Sequence, residues 1–96
     1  MKAKVEQRAL ELRDLAMLLA RASTGSSYVD DQLIIQYRAA IEDRPSGVDV
    51  WRTDDRTMKV LCVIWRGDDA VVVVYRGGPW ERALRRAAAA AVRFAA

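Results

Sequence analysis

The sequence contains no histidine and a single cysteine, Cys62. Without histidine the chain lacks the commonest general base, the commonest metal ligand and the usual pH switch. Ser-His-Asp and Cys-His nucleophile arrangements are excluded with it. One cysteine cannot close an internal disulfide, and Cys62 falls at an inward-facing strand position where a thiol is expected to be buried and inert. No apolar run approaches the roughly 20 residues that span a bilayer. Glu6, Arg8, Glu11, Arg13 and Asp14 interrupt the start of the chain where a signal peptide would stay apolar. The expectation is a cytoplasmic protein with no membrane association. A phosphate-cradling loop is also missing, because Gly77-Gly78 is followed by Pro79, which withholds a backbone N–H donor. The acidic pairs Asp54/Asp55 and Asp68/Asp69 fall in successive turns of a meander, hence at opposite ends, and cannot converge on a metal ion. Each is explained by turn chemistry, since Asp bonds its own following backbone. Neither a cofactor nor an enzymatic activity is expected from this inventory.

What the chain does have is strand-forming material. Met58, Val60, Cys62 and Ile64 alternate with Lys59, Leu61, Val63 and Trp65, and after Arg66-Gly67-Asp68-Asp69 comes the run Ala70-Val71-Val72-Val73-Val74-Tyr75. β-Branched and aromatic residues bounded by Gly and Asp suit a pleated surface. From Val60 to Trp65 and from Val71 to Val74 neither strand face is polar, which points to strands covered on both sides. If helices cover only one side, Leu61, Val63 and Trp65 with part of the valine run are left as an apolar patch.

Helical periodicity marks the two ends. Val5, Ala9, Leu12, Leu15, Ala16, Leu19 and Ala22 fall within one arc of a first helix, which Gly25 can close in a left-handed conformation. Leu10 and Met17 project from its other side and are a candidate dimer or partner surface. Ser27 with Asp30 has capping-box spacing, and Leu33, Ile34, Tyr37, Ala40 and Ile41 follow at helical intervals before Pro45 and Gly47. Pro79 and Glu81 open a last helix with Trp80, Ala83, Leu84, Ala87, Ala88, Ala91 and Phe94 on one side. The expected fold is therefore a single α+β domain over residues 1–96, ordered helix-helix-three-stranded antiparallel meander-helix. Its helices span about 3–22, 29–44 and 79–95 and its strands about 48–53, 57–66 and 70–76.

The net charge of +3 sits unevenly. Residues 1–47 carry seven basic and seven acidic groups, so the whole excess lies beyond them, in the last helix, where Arg82, Arg85, Arg86 and Arg93 face Glu81 alone. In its element order, the stretch from Asp30 to Ala95 resembles the double-stranded-RNA-binding domain, and the alanines from Ala83 to Ala91 resemble that family's last helix. The resemblance implies shape-reading of an A-form duplex, with basic residues at the start of the last helix gripping phosphates. This chain has Pro79-Trp80-Glu81-Arg82 there and Asp54-Asp55 in its first hairpin turn, so the likeness is one of topology and not of motif.

Two functions from different classes follow. The first is a protein-binding module, a small regulator or phage-type inhibitor that occupies a site on a larger intracellular complex, with Trp65 and the Arg82/Arg85/Arg86 face meeting an acidic groove. A protein is the expected partner, and a homodimer is compatible with the pattern. The second is binding of double-stranded RNA or DNA through Arg82, Arg85, Arg86 and Arg93, supplemented by Lys59.

Overall fold

Ala9, Leu12, Ala16, Leu19 and Ala20 recur at helical spacing and are all buried, forming the inner flank of α1 (Lys2–Ser23). The computed structural model describes residues 2–23 and 25–95, with side chains over 5–23 and 25–93. Gly25 ends α1 as expected, at φ 92°, its N–H reaching back to the Ala20 carbonyl at 3.2 Å. At the other end of the chain, α2 (Trp80–Ala95) is capped by its own Glu81, whose Oε2 accepts the Gly78 N–H at 3.3 Å. Trp80, Leu84 and Ala88 form its buried stripe. The second anchor expected there, Phe94, lies outside the described side chains.

Between the helices runs a five-stranded antiparallel meander, β1 (Ser27–Val29), β2 (Leu33–Arg38), β3 (Gly47–Arg52), β4 (Asp55–Arg66) and β5 (Asp69–Tyr75), paired in chain order. The α+β class holds, but the helix expected over 29–44 does not exist, and the sheet has five strands where three were expected. The error has a local cause. Asp30 Oδ1 accepts the N–H groups of Gln32 and Leu33, both at 2.7 Å, which is the bonding an N-cap would make. Here it closes a tight β1–β2 turn, sealed by Asp30 N–H to the Leu33 carbonyl at 3.0 Å. Leu33, Ile35 and Tyr37 then lie on one face with strand alternation, and residues 33 and 37 satisfy a helical period and a strand period equally. The expected core face of Leu33, Ile34, Tyr37, Ala40 and Ile41 is split: Ile34 turns to the opposite side of the sheet, and Ile41 is 65% exposed in the β2–β3 connection. The α-β-β-β-α order that carried the likeness to the double-stranded-RNA-binding domain goes with that helix.

Register decides which side each strand residue faces. Tyr28, Ile35, Val50, Leu61 and Tyr75 stand opposite one another across the sheet, as do Tyr37, Val48, Val63 and Val72. Both rows belong to the one buried cluster that includes the inner flanks of α1 and α2. Helix α1 meets all five strands and packs beside α2, so both helices lie on the same face. The double coverage expected from the valine run is absent.

The start of α2 is pinned to the rest. Trp80 Nε1 donates to the Arg76 carbonyl at 2.6 Å, and its ring meets Tyr75 edge-on, centroids 6.4 Å apart. Glu81 Oε1 accepts the Tyr75 hydroxyl at 3.0 Å and pairs with Arg8 at 3.3 Å, joining β5, α1 and α2 through one carboxylate. Burial, followed by that carboxylate, raises the Tyr75 hydroxyl above its usual pKa.

Candidate functional site

The face without helices is built from the residues that alternate with the core. Three rows cross it: Val29, Ile34, Trp51 and Lys59; Gln36, Asp49, Cys62 and Val74; Arg38, Gly47, Ile64 and Val71. Its margins are apolar and partly open, with Val29 63% and Val71 38% exposed. At its centre, however, sits Asp49, whose side chain is only 3% exposed although no helix covers it.

Two neighbouring cations bury it. Arg38 donates Nε to Asp49 Oδ2 at 2.7 Å, and Lys59 places Nζ 3.3 Å from Oδ1. Arg38 reaches inward because its neighbour on β3 is Gly47. A Cβ at Gly47 would stand 2.8 Å from Arg38 Nη2 and 3.0 Å from the Val63 carbonyl oxygen, so the missing side chain makes the slot for the guanidinium. Lys59 is held from its other side by Trp51, with Nζ 5.5 Å from the ring centroid. Arg38 and Lys59 remain 38% and 39% exposed. Their aliphatic stems cover the carboxylate while their heads keep hydrogen-bond donors toward solvent. The group holds two positive charges against one negative on an apolar sheet face. Such a set can orient an acidic side chain amid aliphatic contacts, and the fixed ion pairs set where it must lie.

Cys62 stands directly opposite Asp49 on β4 and is 5% exposed. Burial, then the hydrogen bond and negative charge of Asp49, push its thiol up to about 11. The thiol is buried as expected, but on the helix-free side of the sheet and not at the inward-facing position expected for it. Among the described residues no group of three or more Cys, Asp or Glu side chains converges as a metal site, and no helix is long and apolar enough to cross a membrane.

The residues singled out from the sequence are dispersed. Lys59 belongs to the helix-free face, on the other side of the sheet from α2 and its arginines. Trp65 lies on the helix side, its ring 5.3 Å beneath the Arg13 guanidinium, and lines a shallow groove with Met17, Tyr37 and Ser46. Arg82 and Arg85 line a different groove, with Arg8 and Glu81. Leu61, Val63 and Trp65 do not form the open patch expected under one-sided coverage. The β3–β4 register turns Leu61 and Val63 into the core and leaves Cys62 and Ile64 on the open side. Leu10 and Met17 are half-buried against the core, while Val5 and Leu18 are the exposed apolar residues of α1. Arg82, Arg85, Arg86 and Arg93 are all exposed, and none has an ion-pair partner among the described residues.

Sequence reasoning missed Asp49, Arg38 and Trp51 as a unit. A signal was present for part of it: alternation over Val48 to Arg52 sets Asp49 and Trp51 together, opposite Val48 and Val50. Arg38 was hidden by its assignment to a helix. Compared with known proteins, the chain matches no family model, no curated sequence and no solved structure at a significant level.

Proposed function

We propose that the chain is a protein-binding module that acts by occupying a site on a larger assembly, and that it docks through the helix-free face of its sheet. The observation carrying this reading is the Arg38–Asp49–Lys59 group in the middle of an uncovered face that, Ser27 and Gln36 apart, is otherwise apolar. Ile34, Trp51, Ile64, Val71 and Val74 offer hydrophobic contact, and the fixed charges restrict which partner fits. This revises the surface expected from the sequence, because Trp65 packs under α1 and cannot serve as an anchor beside the arginines. The test is affinity capture from the cells that express the chain, with wild type run beside Ile34→Glu. A partner recovered by the wild type and lost with a folded Ile34→Glu protein supports the reading. Equal recovery by both proteins refutes it.

A second reading has its own observation. Arg8, Arg13, Arg38 and Arg52 all contact carboxylates, whereas the four arginines on the outer side of α2 contact none among the described residues. Four unneutralised cations on one helix face are the footprint of a phosphate backbone. Binding to generic duplex RNA or DNA should then weaken with salt at a slope of roughly −4 on B-form DNA, at about −0.9 per contact. An Arg82→Glu/Arg85→Glu/Arg86→Glu variant should abolish it. Binding that ignores salt, or that survives this variant, removes the reading.

A further inference from the structure

The two edges of the sheet are unequal. β1 offers three residues, whereas β5 offers seven, ends the strand order, and contains no proline or lysine. Long apolar edges free of proline and lysine pair with other strands unless something prevents it. On β5, Val71 and Val73 are 38% and 55% exposed. The β4–β5 register skips Val73: Cys62 faces Val74 and Val63 faces Val72, leaving Val73 without a partner on β4. This bulge shifts the alternation by one residue, so Ala70 and Tyr75 both lie on the helix side, and Val71 and Val74 both lie on the open side.

The ends of the strand carry opposite charges. Asp69 begins β5 and Arg76 follows it, and neither side chain has an ion-pair partner among the described residues. An antiparallel pairing of β5 with an identical β5 sets Asp69 against Arg76 of the second copy, twice, by symmetry. The same register sets Ala70 against Tyr75 and Val71 against Val74, so side chains on the same face of the sheet meet. The two bulges then come together beside the twofold axis. We propose that β5 is a self-association edge, and that a second copy of this chain pairs with it to form one continuous ten-stranded sheet. Closed twofold symmetry uses up the β5 edges of both copies and leaves only the three-residue β1 strands at the ends of the sheet. The helix-free faces of the two copies become one surface of doubled width, still open to a partner.

Light scattering and sedimentation over a range of concentrations test this on the full chain. The expected mass is twice 10.8 kDa. Val73→Lys should reduce it to the monomer mass with an unchanged circular dichroism spectrum, since Val73 faces solvent. Asp69→Arg alone and Arg76→Asp alone should each do the same, because like charges then meet at both ends. The double exchange Asp69→Arg/Arg76→Asp should restore the dimer. That recovery is specific to the antiparallel register, because neither a surface patch nor a folding defect would produce it. A wild-type monomer at every concentration overturns the proposal. So does a dimer that persists in Val73→Lys and in both single charge reversals, or a folded double exchange that stays monomeric.

Discussion

The burial of Asp49 by two half-exposed cations makes an asymmetric prediction. Replacing Asp49 by Asn removes one charge from the group and leaves Arg38 and Lys59 without a counter-ion, but both are more than a third exposed and can turn their heads into water. The expected loss is about 1–2 kcal/mol, between the value of a surface pair and that of a buried one. Replacing both cations in Arg38→Met/Lys59→Met does the reverse. It leaves a carboxylate that is 3% exposed with no compensating charge, and removing the partners of a buried charge costs about 3–5 kcal/mol. Adding Asp49→Asn to that double variant should recover most of the loss, since an amide costs less to bury than an anion. Urea unfolding of the four proteins gives the free energies directly. For a domain of this size, 3 kcal/mol corresponds to a Tm shift of roughly 12–24 °C. The reasoning fails if Asp49→Asn costs more than the double cation variant, or if the triple variant recovers nothing.

Two further outcomes follow from the titrating groups. At Asp30, burial pulls the carboxyl upward but is outweighed by hydrogen bonds from the Tyr28 hydroxyl at 2.6 Å and from the N–H groups of Gln32 and Leu33, so its pKa lies below the usual value. A depressed carboxylate stabilises the fold above its unfolded pKa of about 3.9, and that contribution is lost as pH falls through the lower folded value. Acid titration of the wild type should show this loss below about pH 4, and Asp30→Asn should lack it while being weaker at neutral pH. Cys62, pushed up to about 11 behind Arg38 and Lys59, should react with a thiol reagent far more slowly in the native protein than in urea at the same pH. Comparable rates would show that the cover over Asp49 and Cys62 opens readily.

The elements that could be read locally were α1, α2 and the β4–β5 hairpin. Their signals are complete within one segment: the stripe from Ala9 to Ala20, the opening Gly78-Pro79-Trp80-Glu81, and β-branched runs around Gly67. The alternation of Val48 and Val50 against Asp49 and Trp51 was likewise present in consecutive residues. Over 29–44 the local information was divided. Ser27 and Asp30 have the spacing of a capping box, but Asp30 instead binds the N–H groups of Gln32 and Leu33 in a hairpin turn, and Leu33 and Tyr37 fit either period. What decides between them is the edge of β3, whose backbone groups need a strand and receive β2 from Leu33 to Arg38.

The sequence by itself determined two amphipathic helices flanking antiparallel strands, an arginine-rich outer face on the last helix, and a chain with no histidine chemistry. Only the tertiary structure decided that both helices share one face, and therefore that Leu61 and Val63 are core while Cys62 and Ile64 look outward. It also decided that Arg38, Asp49 and Lys59, on three different strands, form one charged group. The physical reason is the same in each case. Which residues share a face depends on register between strands far apart in the chain, and a slip of one residue reverses every side chain.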